Sequence, residues 1–161
     1  MPKRSPKTAK TVSERLGPPR ATFYAPSAIA KAYLVEAETA DVRRWLGEGG
    51  AVVSRLTEVE VPSAIARRVR DGRVSESDRH AAMQAFLDDM DRWDVIELTS
   101  EVTRRAVALL SVHPIRAGDA IQLASAVLAR ERSRSIVSRF VGYDARLLAA
   151  ARLEGFVVQE Y

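Results

Sequence analysis

Residues 116–129, RAGDAIQLASAVLA, constrain the fold more than any other stretch of this chain. They read as a helix headed by Asp119, and from Ala120 to Ala129 the only polar side chains are Gln122 and Ser125. A helix that is apolar all round has to be covered all round, so this one belongs inside a layered domain. Its single acid then needs a reason to be there.

The rest of the pattern says what covers it. ATFYA, AVVSR, DVIEL, SIVSRFVGY and FVV are short apolar runs of strand type. Helical patterns lie between them: SAIAKAYL, TADVRRWLGEGG, the run from Thr57 to RDGR, ESDRHAAMQAFLDDMDRW, EVTRRAVALLSV, the 116–129 stretch and DARLLAAARLEG. Ser75 and Asp78 have the spacing of a capping box, Pro114 stops one helix and Gly155 another. Pro62, early in the helix after Thr57, removes a backbone donor and predicts a kink or an irregular first turn. Alternation of strand and helix predicts an α/β fold, a central parallel sheet with helices on both faces.

A chain of 161 residues is long enough for one domain with a real core and short for two. Its net charge of +4 is unevenly placed. Residues 1–20 hold six basic side chains against Glu14, four of the seven prolines and three of the four lysines, with no apolar period. They read as a basic, disordered tail, and residues 21–161 as the domain. Such a tail can attach to phosphate without sequence preference. The body has no basic stripe and few aromatics for base stacking, which makes binding of nucleic acid through the tail alone the weaker function. No window is apolar enough for a membrane span and the start has no signal-type core, so a cytoplasmic protein without a membrane partner is expected.

The absence of cysteine rules out disulfides, thiolate zinc sites and a Cys nucleophile. The two histidines, His80 and His113, have no triad partner nearby in sequence. Any metal must therefore be held by oxygen. In a parallel sheet, sites form outside the carboxyl ends of the strands, and three acids fall there: Glu60 after AVVSR, Asp119 at the head of its helix and Asp144 after RFVGY. Singly, each of the two aspartates is explained as a helix cap. Together the three acids repel unless a proton or a cation sits among them, and an all-oxygen set selects Mg2+ or Mn2+. Glu58 lies two positions from Glu60, on the other side of the helix, so only one of them can face the site. DDMD at 88–91 reads as a solvated helix end rather than a ligand cluster.

FYAPSAIAKAYL, VVSRLTEVEVPSAIAR, HPIRAGDAIQLASAV and FVGYDARLLAAARLEGF together resemble the four sequence blocks of PIN-domain ribonucleases, specifically VapC-type toxins of toxin–antitoxin pairs. The resemblance runs from about Thr22 to Val158. It implies a PIN-like single domain, Mg2+- or Mn2+-dependent cleavage of an RNA substrate, inhibition by a cognate antitoxin protein, and a homodimer. It carries the second, third and fourth acids of the family onto Glu60, Asp119 and Asp144, as metal ligands and catalytic residues. The first acid falls on Ala25. Ser27 matches the small polar residue that supports the site and equally suits a helix N-cap. Arg116 is placed to contact RNA phosphate or to pair with a carboxylate of the pocket. With a methyl group at a ligand position, two functions stand side by side: an impaired nuclease, and a non-catalytic homologue that binds antitoxin or RNA without cutting. A substitution made to disarm a toxin, a natural pseudonuclease and a mutated copy kept for its antitoxin-binding surface would each produce this sequence.

Overall fold

The computed structural model describes residues 20–132 and 136–159; of the segment 1–20 read as a tail, residues 1–19 lie outside them, and Arg20 is instead the first residue of a strand. Five strands form one parallel sheet: β1 (Arg20–Tyr24), β2 (Gly50–Ser54), β3 (Asp94–Ile96), β4 (Ile136–Val141) and β5 (Val157–Gln159), in the order β3-β2-β1-β4-β5. Seven helices connect them: α1 (Pro26–Tyr33), α2 (Thr39–Gly47), α3 (Thr57–Arg70), α4 (Glu76–Met90), α5 (Ser100–Leu110), α6 (Ala117–Arg132) and α7 (Ala145–Leu153). The α/β expectation holds, and every strand and helix anticipated from the pattern is present.

The order of strands explains the two layers. From β1 the chain steps outward to β2 and β3, then returns across the sheet to β4 and β5 on the other side of β1. Parallel crossovers share one handedness, so reversing the direction of travel moves the connecting helices to the opposite face. The apolar side chains of α1, α2, α3 and α4 accordingly join one core cluster, and those of α5, α6 and α7 join the other. Alternation along β1 feeds both: Ala21, Phe23 and Ala25 face α6, while Tyr24 faces α1 and its neighbours. Phe23 stacks on Phe140 of β4 with ring centroids 5.3 Å apart.

Helix α6 is covered as its composition requires, every residue from Gln122 to Ala129 being buried. Burying a side chain such as Leu123 is worth roughly 1.5–3 kcal/mol. Its neighbours are β2, β4, α5 and α7. Ser75 caps α4, its Oγ accepting the Asp78 N–H at 3.1 Å. Gly155 has φ +86°, the left-handed conformation that ends α7. Helix α3 runs through Pro62 without a break, so the missing donor near its start does not interrupt it.

Candidate active site

The chain leaves β1 toward β2 and leaves the neighbouring β4 toward β5, so the strand order switches direction between β1 and β4, and sites form at the carboxyl ends of such a switch. The β1–α1 and β4–α7 turns are joined across it. The Ala25 N–H donates to the Val141 carbonyl at 2.8 Å, and the Tyr143 N–H donates to Ser27 Oγ at 3.0 Å. Ser27 therefore does not cap α1. The N-cap position is held by Ala25, which offers no side-chain bond, and the Ser27 hydroxyl instead fixes the residue preceding Asp144.

The three acids reach this edge from three helices. Asp144 is the N-cap of α7 and accepts the N–H groups of Arg146 and Leu147 on one oxygen, Oδ1, at 3.0 and 2.9 Å. Asp119 stands in the first turn of α6, where its Oδ2 meets the Arg116 N–H only at a long 3.4 Å. That is weak capping, so the cap explanation fits Asp144 and hardly fits Asp119. Burial, with the nearby Asp144 charge, raises the Asp119 pKa; the Arg116 N–H and guanidinium oppose the rise. Glu60, on the first turns of α3, is half-buried, and its pKa is raised by burial and by the Asp119 charge against the hydrogen bond from Gln122. Asp119 is thus the electrostatic link between Glu60 and Asp144. Glu58 turns outward to an exposed pair with Arg55 at 2.9 Å, leaving Glu60 as the inward acid of the two.

Position 25 lies at the end of β1, bonded to β4. Ala25 is 0% exposed and packs on the α6 side of the sheet, and a Cβ added at Gly142 would come within 3.3 Å of its methyl group. Among the described residues no three His, Cys, Asp or Glu side chains gather closely enough to hold one ion alone. The donor chemistry of Glu60, Asp119 and Asp144, half-buried or capping carboxylates without nitrogen or sulfur, suits a hard divalent cation.

Contacts across the chain also involve residues to which the sequence assigned no role. Gln122 donates its amide to Glu60 Oε2 at 2.7 Å; the only signal in the sequence was a polar side chain inside an apolar helix. His113 is buried and pairs through Nε2 with Glu154 at 2.7 Å, a partner 41 positions away and invisible to a search of its neighbours. His80 is exposed, with Nδ1 3.4 Å from the Glu76 carbonyl of its own helix. The DDMD segment is not wholly solvated, because Asp89 accepts the Tyr33 hydroxyl at 2.6 Å. Arg116 is exposed beside Asp119.

A family model for the PIN domain matches residues 27–153. Ribonuclease VapC47 of Mycobacterium tuberculosis is 33% identical over 136 residues, which is 81% of this chain and 90% of the relative. Among solved structures, the crystal structure of M. tuberculosis VapC20, described as a sarcin-ricin loop cleaving toxin, superposes with a TM-score of 0.61 at 19% identity, covering 84% of this chain and 96% of its own. A toxin–antitoxin complex from Klebsiella pneumoniae gives a TM-score of 0.60 at 16% identity, covering 84% of this chain and 95% of that one. These two superpositions carry the fold, and the family model and the relative carry the lineage. The chain belongs to the PIN-domain family and, within it, to the VapC ribonucleases.

Proposed function

We propose that this chain is a VapC-type toxin whose domain is built for divalent-metal-dependent endonucleolytic cleavage of RNA, and that Ala25 impairs the cleavage step. The reading is supported by the likeness to VapC ribonucleases together with the place of Asp119, half-buried in the first turn of α6 and within electrostatic reach of both Glu60 and Asp144. Glu60, Asp119 and Asp144 would hold Mg2+ or Mn2+. When bound, such an ion lowers the pKa of a water and offsets charge on a phosphodiester.

The chain's own residues supply the remaining parts. Asp144 is fixed by two backbone N–H groups on Oδ1, so its carboxylate would hold a cation with little reorganisation. Ser27 holds the turn that presents it. Arg116, exposed at the head of α6, reaches toward an RNA phosphate while its guanidinium moderates the acid cluster. A cognate antitoxin that covers the site and a homodimer complete the proposal, with the cytoplasm as its compartment. No helix among the described residues is long and apolar enough to cross a membrane.

Ala25 itself favours a second reading, a homologue that binds antitoxin or RNA without cutting. The experiment compares RNA cleavage by this chain and by Ala25→Asp across a Mg2+ titration. Restoring a ligand should raise cleavage at least about 10–100-fold, the range that even supporting residues of metal sites command. Equal and robust cleavage by both chains would remove position 25 from the site. No cleavage by either chain, with antitoxin or RNA binding intact, would establish the second reading.

A further inference from the structure

Two residues of α6 meet the Glu60 carboxylate from one side. Gly118 and Gln122 are four positions apart and so share a helix face. Gln122 is 1% exposed, and its Nε2 donates to Glu60 Oε2 at 2.7 Å. Its other amide atom, Oε1, is buried and has no hydrogen-bond partner among the described residues. An unsatisfied buried carbonyl is destabilising, and a methionine would fill a similar space on this apolar helix without that cost. The amide is retained in a place where packing alone would choose a hydrocarbon.

Gly118 adds an independent constraint. Its φ is not positive, so no unusual backbone conformation requires glycine there, and glycine weakens a helix interior. A Cβ at this position would lie 3.0 Å from Glu60 Oε1. One carboxylate oxygen is therefore held by the Gln122 amide, and the other lies so close to residue 118 that a side chain there would push it by a few tenths of an ångström.

We propose that Gly118 and Gln122 are positioning residues that form a seat for the Glu60 carboxylate, holding it where it ligates a divalent cation. The seat rests on the proposal that Glu60 is a metal ligand. Neither residue touches the cation or the RNA; both act through Glu60.

The test measures Mn2+ affinity by titration calorimetry in this chain and in the Ala25→Asp background. Glu60→Gln, Gln122→Met, Gln122→Asn and Gly118→Ala should each weaken Mn2+ binding by about 10–100-fold. Metal-free Gln122→Met should melt within about 4 °C of the parent. Ser125→Ala is the control: Ser125 is a buried polar residue of the same helix, bonded to Ser54 and the Ile121 carbonyl rather than to Glu60, and its loss should leave affinity unchanged. In 15N spectra of the metal-free protein, the Gln122 side-chain amide signals should move when Glu60 becomes Gln. If Glu60→Gln weakens binding while folded Gln122 and Gly118 variants bind as the parent does, the seat is wrong and the ligand stands. If Glu60→Gln has no effect, or neither background binds Mn2+, the ligand assignment fails and the seat fails with it.

Discussion

Helices α6 and α4 are of similar length and live in different solvents. Of the 15 residues of α4, Ala82, Phe86 and Met90 are buried, and its charges include the exposed Arg79–Glu76 pair and Asp89, which accepts the Tyr33 hydroxyl. Helix α6 buries Ala120 and every residue from Gln122 to Ala129, and its one acid in the first turn is half-buried beside two others. Asp119 is a single acid on its helix, and burial with the nearby Asp144 charge raises its proton affinity. A carboxylate gains chemical weight from desolvation and from like charges nearby, not from being one of several in a row.

The comparison breaks most visibly in the core. Leu123→Ala in α6 should cost about 2–5 kcal/mol, against less than about 1 kcal/mol for Leu87→Ala in α4, where the side chain is 43% exposed. Chemical denaturation measures both, and similar losses would mean that the two helices are not differently buried in solution. Cations sharpen the contrast among acids. At Mn2+ about one hundred times the dissociation constant, binding stabilises the folded state by about 2.7 kcal/mol. That gain should persist in Asp88→Asn and vanish in Asp119→Asn, as read from melting curves with and without the ion.

Caps separate structure from ligation at a smaller scale. Ser75→Ala removes the α4 cap and should cost about 1 kcal/mol without altering the response to Mn2+. Asp144→Asn keeps a good capping side chain, so metal-free stability should change by under about 0.5 kcal/mol while the response to Mn2+ is lost. A large metal-free destabilisation by Asp144→Asn would show that its charge serves the helix dipole rather than a ligand.

The smallest effect is on pH dependence. Glu60 and Asp119 have folded pKa values raised above their unfolded ones. The native state then binds protons more tightly, and the stability tied to them is present in acid and declines as pH rises through the folded values. Without divalent ions, the melting temperature of the parent minus that of Glu60→Gln should therefore increase as pH falls from 7 toward 5. Glu38 and Glu97, lowered by hydrogen bonds from Lys31 and Arg55, act in the opposite sense and cancel in this difference. A flat difference would place Glu60 in water.

The proposed site could be marked out from the chain alone because its markers are local. Glu60, Asp119 and Asp144 each follow a strand or open a helix, and the alternation that identifies those elements also says which end of the sheet they share. The roles within the set were not local. Asp144 and Asp119 look alike as helix-head aspartates, but only the first makes short capping bonds. Ser27 suited a cap and instead accepts an N–H from 116 positions away.

What the sequence by itself determined was the period of each segment. Short apolar runs make strands, the apolar run 120–129 makes a helix that must be covered, and Ser75 and Gly155 mark helix ends, because these preferences involve residues within a turn or two of one another. The tertiary structure alone decided which polar groups meet. Gln122 reaches Glu60 across 62 positions, and His113 reaches Glu154 across 41. No local pattern encodes such pairs, since the free energy that brings them together is the burial of whole helix faces on the sheet, and the polar contacts are settled only once those faces have closed.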